Sequence, residues 1–296
     1  MSDPFSSITL RALTPRYGVE VEGLQLAALT PEEGFPELRQ LFEKHSLLLV
    51  RDQLLSDEDH LRLSRMFGPI EDRNADERPP EEMVSVSPVT NIKEDGSLTD
   101  EMDMHTLHLK ANMLWHIDST FLPIPALTNI LVARIVTSEG GQTEFASTRA
   151  AFADMDPELR RRLRRTSIRH HYRTSRARIS AELATLPMFN KWPEQRWKAV
   201  VTNPVNGEES IYVASHSFAI DDLSEVDSAD FLDGIIAFCT RPEYVYSHTW
   251  KAGDVLIWDQ RAVLHRGTPW PIDQPRKLSS VCVSLSDADG LPSMRA

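Results

Sequence analysis

The feature that most limits how this chain can fold is the density of short β-forming runs after residue 124. In order they are "PALTNILVARIV", "SIRHHYR", "KAVVTNP", "SIYVAS", "YVYSHTW", "DVLIWD", "AVLHRG" and "KLSSVCVSL", rich in the branched and aromatic residues that suit a pleated surface. Two helical stretches interrupt them, "STRAAFADMDPELRRRLRR" and "SEVDSADFLDGIIAFCT". So many short strands with so few helices predict a β-barrel or jelly-roll core, a mainly β fold with helical decoration.

The N-terminal part reads differently. "VEVEGLQL" alternates as a strand, and "TPEEGFPELRQLFEKH" offers a Thr cap, an acidic first turn and an apolar stripe through Leu38, Leu41 and Phe42. "SLLLVRDQ" is then a buried strand and "SDEDHLRLSRMFG" a second helix, capped by Ser56 and ending near Gly68. Residues 71–111 are polar and interrupted by "RPPEE" and "KEDG", and are expected to be an insertion lying like a lid over a site. A length of 296 residues with 41% hydrophobic content fits one large domain over 1–296. No repeat at a solenoid or propeller period is present.

Charge narrows the partners. A net charge of −12 opposes general binding to nucleic acid or to an anionic membrane, both of which rely on accumulated Lys and Arg. Even "RRRLRR" at 160–165 is read as a solvated helix face. The expected partner is a small molecule, and a homo-oligomer is compatible with the composition. Cys239 and Cys282 do not make a disulfide framework and are read as buried thiols. With no secretory leader in "MSDPFSSITL" and no run long enough to span a bilayer, the expected location is the cytoplasm.

The chemistry is carried by "NMLWHIDSTF", residues 112–121. In a strand, residues two apart point to one face, so His116 and Asp118 both aim into one cavity while Ile117 packs the other way. His265, on a β-like run in "VLIWDQRAVLHRGTPW", is the candidate third ligand. Two histidines and one carboxylate make the facial triad of non-haem iron(II) oxygenases, which leaves coordination positions open for chemistry. The adjacent His170 and His171, and the single His45, His60, His216 and His248, are read as surface or core-edge residues. His105 and His108, upstream in "MDMHTLHLK", are candidates for a substrate entrance.

Taken together, "LLLVRDQLLSDEDHLRLSRMFGPIE", "WHIDSTF", "EGGQTEF", "WKAGDVLIWDQRAVLHRGTPW" and "PRKL" resemble, over nearly the whole chain, the iron(II)- and 2-oxoglutarate-dependent dioxygenases of the taurine dioxygenase and 2,4-dichlorophenoxyacetate dioxygenase group. Around "NIKEDGSLTDEMDMHTLHLKANMLWHIDSTF" the chain looks closest to the phenoxypropionate and N-substituted amino acid hydroxylases. The resemblance implies a double-stranded β-helix, iron ligands His116, Asp118 and His265, and a co-substrate carboxylate bound by Thr143 and Arg276. It further implies that, with iron(II) as the cofactor, 2-oxoglutarate and O2 are consumed to give succinate, carbon dioxide and a hydroxylated substrate. An aryloxyalkanoate, an N-substituted amino acid or a related acid is the expected substrate.

A permanent, planar cation is what a buried carboxylate of the co-substrate needs, and Arg276 is expected on a strand neighbouring and antiparallel to that of His265. Retention of Asp118 points to hydroxylation, because related halogenases lose that carboxylate. Asn112 matches a family position near the substrate. The position where relatives carry a second, substrate-binding Arg is Ser280, which lines the cavity without charge, so Lys110, Arg173, Arg176 and Arg178 are the candidate cations. Gln260 stands where "WDNR" is usual and is read as structural. Two other classes remain: a non-catalytic metal-binding jelly roll, which has no use for Thr143 and Arg276, and a zinc hydrolase, which requires a general base that no nearby motif supplies.

Overall fold

The structure is a computed structural model that describes residue 5 and residues 7–79, 82–100 and 103–296; of His105 it describes the backbone only. In chain order the strands are β1 (Thr9–Ala12), β2 (Val19–Glu22), β3 (Leu47–Val50), β4 (Ser87–Thr90), β5 (Ala126–Ile135), β6 (Thr143–Ser147), β7 (Ser167–His170), β8 (Gln195–Lys198), β9 (Val200–Thr202), β10 (Glu209–Ile211), β11 (Ser217–Ile220), β12 (Val245–His248), β13 (Val255–Asp259), β14 (Val263–Gly267) and β15 (Lys277–Ser284). The helices are α1 (Phe35–His45), α2 (Asp57–Phe67), α3 (Met104–Ala111), α4 (Thr148–Asp154), α5 (Pro157–Leu163), α6 (Tyr172–Ala177), α7 (Ala181–Thr185), α8 (Glu225–Cys239) and α9 (Leu291–Met294). Helix and strand take nearly equal shares, which corrects the mainly β expectation to a mixed α and β fold.

A large sheet runs β1-β2-β3-β13-β5-β15-β4, and a small one runs β12-β6-β14. The period-2 pattern of the central strands sorts their side chains onto two faces. Leu48, Val50, Ile130, Val132, Val255, Ile257 and Val283 belong to the core that also takes Leu38 and Phe42 of α1 and Leu63 and Phe67 of α2. Leu47, Leu49, Leu131, Ala133, Leu256, Trp258 and Leu278 point the other way and pack with Phe145 and Val263 of the small sheet. With both faces covered, these strands read as continuous apolar runs. From β12 onward the chain alternates sheets: β12 small, β13 large, β14 small, β15 large.

Several local expectations change. α1 has Gly34, not Thr30, as its N-cap, because Thr30 closes a preceding turn by accepting from the Glu33 amide at 3.0 Å. Ser56 caps α2 as expected, accepting from the Asp59 amide. The first long helical stretch is two helices, broken where Asp156 caps α5 and Pro157 opens it. "SIRHHYR" is a strand only to His170; His171 then caps α6 with its ring. The 71–111 segment contributes to the large sheet, since β4 completes its edge against β15. Among the described residues no helix is long and apolar enough to cross a membrane.

A buried ion network fixes the turn between β13 and β14. Arg261 donates to Asp259 at 2.8 Å, to Glu43 of α1 at 2.6 Å and to the Asp289 carbonyl at 3.1 Å. Removing one partner of such a buried group leaves uncompensated charge, so Arg261→Ala is expected to cost about 3–5 kcal/mol in urea unfolding. A loss below about 1 kcal/mol would show that the network carries no such weight.

Candidate metal and co-substrate site

The first side chain of the site is placed by backbone pairing. Residue 116 is not in a regular strand, as expected from its sequence, but in an isolated bridge to His265 at the free edge of β14. The two residues exchange both backbone bonds, His116 N–H to His265 O at 3.0 Å and His265 N–H to His116 O at 2.9 Å. Directly opposed residues of this kind present their side chains on the same face, and the two rings lie 4.1 Å apart between centroids. Ile117 points away into the core, as the alternation requires.

After Ile117 the chain turns sharply, with Ser119 at φ 60°, and this turn swings Asp118 under the two rings. Its carboxylate oxygens lie 3.6 Å from Nε2 of His116 and 3.6 Å from Nε2 of His265. One donor atom from each of the three residues falls within 4.8 Å of the others, the only such cluster of metal-binding side chains among the described residues. The donor set fits a divalent cation. The His116 Nδ1 lies 2.7 Å from the Leu114 carbonyl; a carbonyl only accepts, so Nδ1 carries the proton and the Nε2 lone pair is left for a metal.

The carboxylate itself is clamped. Oδ2 of Asp118 accepts from Gln260 Nε2 at 2.6 Å and from Asn129 Nδ2 at 2.9 Å, while the Asp118 amide donates to Gln260 Oε1 at 3.0 Å. Gln260 therefore does more than the structural part read from "WDQR": it holds a candidate ligand by two bonds. Ser280 Oγ donates to Asn129 Oδ1 at 2.9 Å, which turns the amide so that its NH2 faces Asp118. Burial alone would raise the Asp118 pKa, but His265, His116 and the Asn129 bond bring it down to about 2. Burial likewise lowers His265, to about 3. At neutral pH the site is one anion between two neutral imidazoles, the protonation that metal binding requires.

A cavity of about 670 Å³ opens beside this cluster and is lined by His116, Asp118, His265, Thr143 and Arg276. The expectation that Arg276 and His265 lie on neighbouring strands is corrected here. β14 pairs with β6 in the small sheet and β15 with β5 in the large one, so the two residues face the cavity from opposite sheets. Arg276 is 4% exposed, stacks over Trp270 and donates to the Gly141 carbonyl at 3.0 Å. Both glycines of the Gly-Gly turn are at positive φ, and a Cβ on Gly140 would come within 2.6 Å of the Pro269 carbonyl, so the turn needs glycine there. Asn91 accepts from the Arg276 amide at 2.8 Å, so the 71–111 segment also anchors this arginine.

No carboxylate of the described chain pairs with Arg276, and burial lowers its pKa to about 10. The carboxylates lining the cavity are otherwise spoken for, Glu71 by Arg73, Asp72 by Arg78 and Glu77 by Lys191. Thr143 Oγ1 accepts from Trp250 Nε1 at 3.0 Å, which leaves its hydroxyl proton to donate.

The remaining candidates divide. Asn112 and Ser280 line the cavity. His108 packs its ring on Phe189 at 5.2 Å and is not among the lining residues, whereas the His105 side chain lies outside the described residues. His216, expected at the core edge, is buried with its ring 6.5 Å from that of His116. Arg73, Asn129 and His216 were missed because each stands alone in the sequence, with no spacing that ties it to the triad.

Over most of its length the chain is similar to known proteins. The family model described as "Taurine catabolism dioxygenase TauD, TfdA family" matches residues 9–282. The (S)-phenoxypropionate/alpha-ketoglutarate-dioxygenase of Sphingobium herbicidovorans is 34% identical over 272 residues, 89% of this chain and 90% of that protein. The alpha-ketoglutarate-dependent 2,4-dichlorophenoxyacetate dioxygenase of Cupriavidus pinatubonensis is 28% identical, covering 95% and 99%. The crystal structure of AAD-2 in complex with Mn(II) and N-oxalylglycine superposes with a TM-score of 0.86 at 30% identity, over 94% of this chain and 97% of that one.

Outer groups that orient a ligating carboxylate typically contribute 10- to 100-fold in metal affinity. Gln260→Leu, which removes both bonds to Asp118, is therefore expected to weaken Mn(II) binding by roughly that factor in an anaerobic calorimetric titration. Affinity within twofold of wild type would exclude Gln260 from orienting the ligand.

Proposed function

The chain belongs to the TauD/TfdA family of 2-oxoglutarate-dependent dioxygenases, enzymes that use iron(II), 2-oxoglutarate and O2, and from that premise we propose that it hydroxylates an unactivated C–H bond of a small organic acid. In this reading His116, Asp118 and His265 hold the iron, and Thr143 and Arg276 hold the far carboxylate of 2-oxoglutarate. The bound iron and co-substrate supply the oxidant, with 2-oxoglutarate leaving as succinate and carbon dioxide. The protein's part is to bind, orient and exclude water.

One observation carries this reading: a buried guanidinium with no carboxylate partner among the described residues shares a cavity with a two-histidine, one-carboxylate cluster. A buried cation is costly unless an anion joins it. A dicarboxylic acid that reaches the metal at one end and Arg276 at the other supplies that anion. Retention of Asp118 as the third donor favours hydroxylation. A zinc hydrolase reading lacks a free general base, because the other lining carboxylates are ion-paired, and a metal-binding regulator leaves Arg276 unexplained.

The alternation of β12 to β15 between two packed sheets supports a double-stranded β-helix, or jelly roll. We assign 1–296 to one catalytic domain in which 71–111 covers the site; Glu71, Arg73 and Arg78 of that segment line the cavity. The relatives named for phenoxypropionate and 2,4-dichlorophenoxyacetate support an aryloxyalkanoate, an N-substituted amino acid or a related acid as substrate. The free thiols Cys239 and Cys282 suit a reducing cytoplasm.

His116→Ala is expected to abolish 2-oxoglutarate-dependent succinate formation in an anaerobically reconstituted enzyme given a panel of such acids. Arg276→Ala should instead raise the KM for 2-oxoglutarate by roughly 10- to 100-fold, the loss of charge-assisted hydrogen bonds to one carboxylate. An unchanged KM removes Arg276 from the co-substrate pocket.

A further inference from the structure

Three arginines of the described chain are buried: Arg176, Arg261 and Arg276. Arg261 is paired with Glu43 and Asp259. Arg276 has its explanation in the co-substrate. Arg176, on α6, is 6% exposed and has no carboxylate partner among the described residues. Its guanidinium donates only to two neutral hydroxyls, Ser175 Oγ at 2.8 Å and Tyr172 Oη at 3.2 Å, and its Nε has no partner. It stacks on the rings of Tyr172 at 4.4 Å and Phe189 at 5.1 Å. Ring faces and hydroxyls attract a cation but do not neutralise it, so the desolvation cost of the charge is only partly offset.

The place of this charge is informative. Arg176 lines a recess of about 30 Å³ whose walls also include His116, Asp118, Asn112, Tyr172 and Arg73. Those five residues line the large cavity as well, so the recess abuts it on the side of His116, whereas Arg276 lines the large cavity and not this recess. By the same measure a single water needs about 10–15 Å³, so the recess has room for a group of carboxylate size and not for a whole substrate. The other candidate cations are less suited: Arg178 pairs with Asp233 at the surface, Arg173 is exposed, and Lys110 lines neither the cavity nor the recess. Ser280, the uncharged residue at the family's substrate position, is committed to Asn129.

We propose that Arg176 is the anion-recognition residue for the primary substrate, taking over from the position now held by Ser280, and that the substrate presents a carboxylate or similar small anionic group to the recess beside His116. This rests on the dioxygenase reading above. The rings beside the recess, buried Phe121 stacked on half-buried Tyr172 at 3.8 Å, favour a flat apolar body next to that anion.

The test uses full-length protein loaded with Mn(II) and N-oxalylglycine, as wild type, Arg176→Met and Arg176→Lys. Calorimetry measures binding of (S)-2-phenoxypropionate, further 2-aryloxyalkanoates and N-acyl amino acids, each beside its primary amide. Wild type is expected to prefer at least one acid over its amide by about tenfold or more, the range of a charge-assisted hydrogen bond. Arg176→Met should lose that preference, and Arg176→Lys should keep part of it. Thermal unfolding without substrate adds a second readout: Arg176→Met should be no less stable than wild type, because an unpaired buried charge has been removed. An acid preference that survives in folded Arg176→Met overturns the proposal, as does a wild type that binds N-oxalylglycine but no acid of the panel. Failure of wild type to bind N-oxalylglycine with Mn(II) would instead strike the dioxygenase reading itself.

Discussion

Everything at this site depends on one carboxylate held between two imidazoles. Asp118 reaches that position because the residue 116 backbone is bonded to the edge of β14 and the chain turns immediately after Ile117. Burial disfavours its charged form, and hydrogen bonds from the amides of Gln260 and Asn129, with the charge of Arg73, favour it between the two neutral imidazoles. The large sheet supplies Asn129 and Ser280, the small sheet supplies His265, and the β13–β14 turn supplies Gln260. Packing of Phe145 against Trp258 between the sheets, 5.2 Å between ring centroids, is thus part of the site's geometry.

Charge accounting extends the same logic outward. Around the cavity, acidic and basic side chains are matched in pairs, Glu71 with Arg73, Asp72 with Arg78 and Glu77 with Lys191. Two buried guanidiniums depart from that rule, one in the large cavity and one in the recess on its His116 side. Two buried cations without an acidic partner among the described residues, in so balanced a setting, cost stability unless anions join them.

Much of this was legible in the sequence, for identifiable reasons. His116, Asp118 and His265 announce themselves by chemical type, and Thr143 and Arg276 by motif. The helices α1 and α2 follow from apolar spacing and the Ser56 cap. What stayed hidden depends on tertiary pairing. The prolines between His265 and Arg276 suggest a hairpin, yet β14 finds its partner in β6, so the same segment crosses between sheets. "HHYR" has strand propensity, but His171 caps a helix and thereby turns Arg176 inward. Gln260 looks like a neutral exchange until its two bonds to Asp118 are seen. His216 and Asn129 have no sequence neighbour that connects them to the site.

The most direct test of this account is a crystal structure of the protein grown anaerobically with Mn(II) and N-oxalylglycine. The expected result is one metal ion bound by Nε2 of His116, Nε2 of His265 and a carboxylate oxygen of Asp118, with the distal carboxylate of N-oxalylglycine on Arg276 and Thr143. A metal bound elsewhere, or an N-oxalylglycine whose far carboxylate lies away from Arg276, would contradict it.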